Sequence, residues 1–509
     1  MSEKKKRKIG WINRIAYGSG NLIGSGALAI SGAWLLYFYT SFCGLSVVQA
    51  SIIFSTATYL DVIINPIMGF ITDSFYKTRL GKKFGRRRFF ILIAIPLVLV
   101  YPMLWVKNMN FYYYLTTYVL FEIIYTSIMI PYETIAVEMT DDFEQRSYLA
   151  GLKAMFGNIA NFLGAAIPGV FIAIFGKDTP KPFFYTGVVY CIIMMISLTL
   201  LYLNTWERSY DEVADESVGS LGEAIKKLFV DIFSTLRVRA FRDHLGMYLF
   251  GFGAEWLFTA VFTYFIVFVL QQPSAFVSEM NSLNSILQLV ATTFMIGIVA
   301  KKGFSKPYIW ALTVVIATVL GYVAIALTGL TSLTALIIAV TVVFGLGTGA
   351  VYYVPWTTYV FMADVDEIVT NRRREGTYAG AMTMAGKLTR ATIVFILGAV
   401  LQSFGFKSGA TVQPQSAINA ITGVMVFGVC GMALLAIFFS YRLKLNHKTH
   451  KILIDEIDRV HNGGKMSDVD PETKKVVESL TGIPYEKCFG NNNIGYKQKN
   501  KTELKTATK

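Results

Sequence analysis

Asp61 is the only charged residue in the apolar run from Val47 to Ile71. As a helix that run reaches about 37 Å, enough to cross a hydrocarbon core of about 30 Å. An ionised carboxylate at such depth costs several kcal/mol, so it must face a polar interior and hold a counter-charge there. That counter-charge is either a transported cation, H⁺ or Na⁺, or a lysine from another span. Asn65 lies one turn on and on the same face, with a neutral oxygen to offer. Pro66 releases a backbone carbonyl one turn back, a further oxygen. A second set of candidates comes much later in the chain. Thr383, Lys387 and Arg390 sit at i, i+4 and i+7 and share one helical face. By helical rise Lys387 is ~16 Å and Arg390 ~21 Å from the basic end of their span, too deep to snorkel. Both must line a cavity.

The other polar residues inside apolar runs are Glu122, Glu133, Lys153, Asn158, Asn161 and Glu255. Glu133 and Lys153 stand near enough to a span end to snorkel instead. The asparagines either bind hydroxyl groups or bridge helices. Trp356, beside Pro355, either stacks a ligand ring or anchors its span at the interface.

These side chains need a membrane-spanning scaffold. Of the 509 residues 54% are apolar and 16% charged, against about 25% charged in soluble domains; mean hydropathy is +0.49. Twelve apolar spans are expected, at 18–42, 47–72, 89–106, 111–138, 148–176 and 184–203, then 245–271, 279–300, 307–328, 331–361, 377–404 and 417–440. The chain divides into a six-helix bundle (1–203), a linker (204–243), a second six-helix bundle (244–440) and a soluble tail (441–509). Within the linker, apolar residues recur at helical spacing from Leu221 to Val238, as in a surface helix, though a solvated linker fits as well. In the tail, Ile452 to Val460 reads as a short helix and the end as disordered.

The net charge of +14 is a topology signal. Lys and Arg crowd Lys4–Arg14, Lys77–Arg88, Lys301–Lys306, Arg372–Arg374 and the tail, while the alternate loops hold few. That asymmetry puts both termini in the cytoplasm and leaves no reason to invoke nucleic acid. The Lys-rich start runs into a full span without a small-residue cleavage site, so no cleavable signal is expected. Cys43, Cys191, Cys430 and Cys488 are spaced for neither disulfides nor a metal. No cofactor is expected, and no metal beyond Na⁺ at Asp61.

The two halves repeat. Pro131 and Pro355 each begin a string of Pro, an aromatic, Thr at the fourth place and Asp at the twelfth (Asp142, Asp366), with Arg following. Copies six spans apart imply parallel halves related by an axis along the membrane normal. Where the halves meet inside the cell, Asp73, Arg79, Asp142, Arg146, Asp366 and Arg373 form a candidate gate that pairs across the halves and parts when the cavity opens inward. The alternative for most of these arginines is contact with lipid headgroups. Gly345, Gly347 and Gly349 let span ten pack closely or bend.

The strings YGSGN at Tyr17, YLDVIINPIMGFITD at Tyr59, RLGKKFGRRRFFIL at Arg79, IPYETIAVEMTDD at Ile130 and ADVDEIVTNRRREG at Ala363 together resemble the glycoside–pentoside–hexuronide:cation symporter family, of the melibiose-permease type. The resemblance covers all twelve spans. It implies an all-α membrane protein with the major facilitator fold and sugar uptake coupled to Na⁺, H⁺ or Li⁺ by alternating access. Under it Asp61 matches a cation-site carboxylate and Lys387 a lysine on helix eleven, with Thr383 one turn before. Lys153 lies close to a helix-five arginine and Trp356 to a helix-ten tryptophan. Asn65, Met129 and Ser25 stand where members of that type carry acids. With two of those cation-site acids missing, Na⁺ coupling is in question and H⁺ coupling through Asp61 is the other route.

Loss of acid at Ser25 and Met129 beside retained Lys387 and added Arg390 favours an anionic sugar, a hexuronide or oligogalacturonide. The residues expected to bind it are Lys387, Thr383, Arg390, Lys153, Trp356, Ser25, Glu133 and Asn158. The alternatives are a neutral glycoside or pentoside symporter, a non-transporting sugar sensor, or a lipid carrier of the same fold. No nucleophile–base pair or phosphate loop points to an enzyme. The expected partners are a small sugar and the bilayer, and the expected setting a monomer in a bacterial inner membrane.

Overall fold

The computed structural model describes residues 8–140, 142–176, 179–208, 221–372 and 374–496, and these contain helices and no strand. The first bundle holds α1 (Trp11–Phe42), α2 (Val47–Ser74), α3 (Arg88–Leu97), α4 (Phe111–Met139), α5 (Phe143–Phe175) and α6 (Lys181–Asn204). The second holds α7 (Arg239–Val269), α8 (Ser274–Lys302), α9 (Ser305–Leu327), α10 (Thr334–Thr370), α11 (Glu375–Ser403) and α12 (Gln415–Arg442). A linker helix, Leu221–Thr235, joins them. Two tail helices follow, α13 (His447–His461) and α14 (Pro471–Thr481).

Helix starts follow from side chains that satisfy the first free N–H groups. Ser46 and Gln49 close a reciprocal box at the start of α2, with bonds of 3.1 and 3.0 Å. Asn110 accepts from Tyr113 N–H at 2.8 Å to cap α4, and Asp142 from Gln145 N–H at 2.8 Å to cap α5. At the other end of a span, Gly303 takes φ 76° and stops α8 directly after Lys301 and Lys302.

Among the described residues, eleven helices are long and apolar enough to cross a membrane. The third expected span departs from the pattern: α3 stops at Leu97 and a four-residue helix, Val100–Met103, completes it. Pro96 and Pro102 each lack a donor and crowd the preceding turn, so the helix tightens between them. The linker is helical over Leu221–Thr235. Residues 209–220 lie outside the described residues, as do Arg373 and the tail beyond 496. The tail holds two helices rather than the one expected, both packed on the second bundle.

Between bundles, α2 packs along α11 and α5 along α8, while α1 packs against α7. The bonds that join the bundles lie from mid-membrane to the face opposite the termini. Ser55 donates to Ala391 C=O (2.8 Å), Tyr59 meets Thr392 (2.8 Å), Thr40 meets Tyr264 (3.0 Å) and Thr263 donates to Ala33 C=O (3.0 Å). A Cβ on Gly398 would stand 1.9 Å from Ser51 Oγ, and one on Gly169 2.5 Å from Ser278 Cβ. Toward the termini the linker helix packs against both α2 and α11. Gly345, Gly347 and Gly349 take the packing role: their faces lie against Leu287, Val314 and Ala291 of α8 and α9.

Candidate functional site

Asp61 is buried at 2% exposure, mid-way along α2. Its carboxylate receives three donors. Asn65 Nδ2 donates to Oδ1 at 2.9 Å and to the Asp61 carbonyl at 2.6 Å; the Thr126 hydroxyl of α4 donates to Oδ1; Lys387 Nζ of α11 pairs with Oδ2. The counter-charge is therefore a lysine from the other bundle, and the pair stitches the two halves together at mid-depth. Glu122, buried one turn from Thr126, lies within electrostatic range of Asp61, Lys387 and Arg390. Asn65 turns its amide nitrogen, not its oxygen, to the acid.

Arg390, one turn beyond Lys387, has a different setting. Its guanidinium lies over the Phe54 ring at 5.2 Å and against Gly32, whose added Cβ would stand 2.8 Å from Nη2. It makes no ion pair with any described residue. Arg390 lines a cavity of about 340 Å³ between the bundles, whose walls come from α1, α2, α5, α7, α8, α10 and α11. Two π-helical turns in α1, Leu22–Gly26 and Ser31–Leu35, bracket its contribution of Ser25, Leu28 and Ala29.

The expected residues divide. Ser25 and Arg390 line this cavity, and Lys387 with Asp61 and Asn65 sits directly beside it. Asn158 is exposed and does not line it; Asn161, one turn on, does. Lys153 pairs with Glu133 inside the first bundle, its ammonium 5.6 Å from the Tyr132 ring, and neither lines the cavity. Thr383 is exposed and outside the cavity lining. Trp356 is 40% exposed and packs edge-on against Tyr248 and Tyr359, one turn short of the lining residue Tyr352. The tryptophan in the wall is Trp256, beside Glu255 on α7. Sequence reasoning missed it, having only that adjacency as a signal. It also missed Asn281, Asn284, Ser285 and Gln288 of α8, although their i, i+3, i+4, i+7 spacing marks a polar stripe in an apolar span.

Among the described residues, the gate acids Asp73, Asp142 and Asp366 bond within their own halves or the adjoining segments. Arg87 bonds Asp73 at 3.1 Å, and with Arg86 and Arg208 it converges on Glu138, whose side chain is 1% exposed. Three guanidinium groups thus answer one buried carboxylate there. Glu207 accepts from the backbone N–H groups of Arg86 and Arg87 at the start of α3. Asp142 is the α5 cap, and Arg146 donates to Thr140 C=O at 2.8 Å. Asp366 takes two bonds from Arg374 (2.6 and 2.7 Å) and one from Tyr378 (2.7 Å). Arg79 is exposed on the short helix Arg79–Phe84. Arg373 lies outside the described residues.

Two parallel bundles around a central polar cavity, crossed by one buried ion pair, can be compared with known proteins. Residues 16–447 match the family described as MFS/sugar transport protein. The chain belongs to that family. An uncharacterized symporter from Synechocystis is 23% identical, over 85% of this chain and 94% of its own. A glucuronide carrier protein homolog from Escherichia coli is 19% identical, over 89% and 96%. Among solved structures, a D-xylose–proton symporter superposes with a TM-score of 0.60 at 15% identity, over 86% of this chain and 98% of that one. The resemblance read from the sequence motifs therefore holds. As a family member the chain is a multi-pass membrane sugar:cation symporter of the major facilitator type, and not an enzyme. In this symporter the ion pair and the cavity are neighbours: Lys387 and Arg390 lie three residues apart on α11, one facing the acid and the other the cavity.

Proposed function

We propose that this symporter imports a carboxylated sugar, a hexuronide or oligogalacturonide, together with H⁺, as a monomer in a bacterial inner membrane with both termini in the cytoplasm. The observation that carries this reading is the Arg390 guanidinium, which faces the central cavity without an ion-pair partner. A planar fork of donors in a low-dielectric cavity suits a carboxylate held by two parallel hydrogen bonds.

Coupling follows from charge balance. A buried carboxylate left alone costs several kcal/mol, so Asp61 must hold either Lys387 or a proton. In the empty carrier Lys387 serves, and the halves can exchange positions without exposing a bare charge. An arriving sugar carboxylate adds a negative charge beside Lys387 and Arg390; a proton on Asp61 compensates it and frees Lys387 toward the sugar. Na⁺ is the weaker candidate, because the groups around Asp61 are mainly N–H donors, whereas Na⁺ wants oxygen ligands. The Escherichia coli relative, named as a glucuronide carrier protein homolog, supports the same substrate class. The amide-rich α8 wall supports a second reading, a neutral glycoside.

Uptake into proteoliposomes decides between them. With labelled glucuronide or digalacturonate, an inward proton gradient should drive accumulation without Na⁺, and Asp61→Asn should abolish accumulation while sparing counterflow. Accumulation of melibiose or xylobiose alone would remove the uronide reading, and dependence on Na⁺ would remove the proton.

A further inference from the structure

Glu255 is buried at 7% exposure in the cavity wall, and the pairing of Asp61 with Lys387 does not involve it. Its one bond is a long contact, 3.5 Å, from the Tyr352 hydroxyl. No described cation pairs with it. Arg390, on the neighbouring helix, turns instead toward Gly32 and Phe54 of the first bundle. On α8, two residues of the same cavity lining, Asn284 and Gln288, keep Oδ1 and Nε2 buried without a hydrogen-bond partner, Asn284 Oδ1 against Gly345 of α10 and Gln288 near Tyr352. Orphaned buried polar atoms cost about 1–3 kcal/mol each, and a native fold retains them where a ligand answers them. Two helices, α7 and α8, thus bring under-satisfied polar groups to one wall, and Trp256 adds an apolar ring face beside them.

We propose that Glu255, Asn284 and Gln288 form the hydroxyl-binding subsite of the cavity, separate from the carboxylate-binding Arg390, and that they determine which hydroxyl pattern the symporter accepts. The inference rests on the sugar-symport reading and adds the position of the neutral part of the substrate. The donor–acceptor pattern is specific. The two Glu255 oxygens can each accept from one hydroxyl of a vicinal diol, Asn284 Oδ1 accepts from a third, and Gln288 Nε2 donates to a hydroxyl or ring oxygen. Acceptors outnumber donors, so the wall favours ring positions that present hydroxyl hydrogens and disfavours deoxy or methylated ones. A sugar that leaves Glu255 unanswered buries an acid without a partner, the large penalty behind strong rejection of analogues that lack a hydroxyl.

The test uses the full-length protein in proteoliposomes and the binding of p-nitrophenyl β-D-glucuronide, p-nitrophenyl β-D-glucoside, and the 2-, 3- and 4-deoxy forms of the glucoside. Glu255→Gln and Asn284→Ala should each weaken glucuronide and glucoside by a common factor of about tenfold or more. At least one deoxy analogue that the wild type rejects should bind Glu255→Gln as well as the parent glucoside does. Arg390→Ala should instead change only the ratio of glucuronide to glucoside. Affinities of Glu255→Gln within twofold of wild type for both sugars would overturn the subsite. So would a loss confined to proton-driven accumulation, which would make Glu255 a coupling acid. If the wild type binds glucoside but not glucuronide, the uronide reading falls, while the Glu255→Gln loss on glucoside still supports the subsite. If it binds neither, both fall.

Discussion

Asp61 and Lys387 form a buried pair in which each partner protects the other. Removing one leaves a charge with nothing to balance it, which costs about 3–5 kcal/mol, whereas removing both charges is often neutral. Lys387→Ala should therefore lower the thermal stability of the purified protein clearly, because the Asp61 side chain, 3% exposed, cannot reach water. Asp61→Asn combined with Lys387→Ala should recover most of that loss, since Asn65 and Thr126 can still bond to the asparagine. Thermal unfolding in one detergent, with the single and double variants side by side, checks this; a double variant no more stable than Lys387→Ala would mean that the lysine acts through packing. The lone charge in an apolar run and the depth of Lys387 were both legible in the sequence. A lysine from another span was one of the partners the sequence left open for Asp61; the choice was not legible, because a sequence gives depth along each helix but not rotation about it. The same gap explains the tryptophans: Trp356 and Trp256 both lie on spans, and only helix rotation decides which enters the cavity.

The spans themselves were legible, since a long apolar run in lipid has no folded alternative to a helix that satisfies its own backbone. Most boundaries held to within about five residues, while α1 and α7 begin six or seven residues early, α10 runs nine residues past its expected end, and α3 deviated at its prolines. What the sequence does not display is which small residue meets which neighbour across the bundles. Gly398 of α11 and Ser51 of α2 show why this matters. A side chain at 398 would overlap Ser51 Oγ and come within 3.0 Å of the Val47 carbonyl, which is backbone and cannot swing aside. This contact exists only while the face opposite the termini is closed. Gly398→Val should accordingly disfavour the closed arrangement and shift the carrier toward the state open on that face. In a background without native cysteines, Ser25→Cys in the cavity should then react faster with an impermeant thiol reagent added from that face, and net transport should fall. Unchanged labelling would show that α2 and α11 separate too little there to matter.

At the scale of the whole molecule, alternating access requires two bodies, and the tail defines one of them. Phe489 and Gly490 donate from their backbone N–H groups to the carbonyls of Ile368 and Val369 (2.7 and 3.0 Å), and the Asn492 amide adds a bond to Val369 (2.7 Å). Those carbonyls belong to the last turn of α10, where the helix leaves them without internal partners. His450 bonds Asp364 at 2.8 Å and His461 bonds Asn371 at 2.9 Å. Tyr496 N–H donates to Asp231 of the linker helix at 2.8 Å, and Arg374 reaches both Asp231 and Ser234. Tail and linker helix are thus bonded to the second bundle, and the linker helix also touches α2. If the bundles rock, tail and linker helix should travel with the second as one rigid body. Spin labels at the exposed sites Lys475 and Lys302 should keep one distance distribution when proton and substrate are supplied, while Lys475 and Lys83 should change theirs. Movement of both pairs would mean that the tail undocks during the cycle, and the second bundle would then have to expose the α10 carbonyls at every turnover.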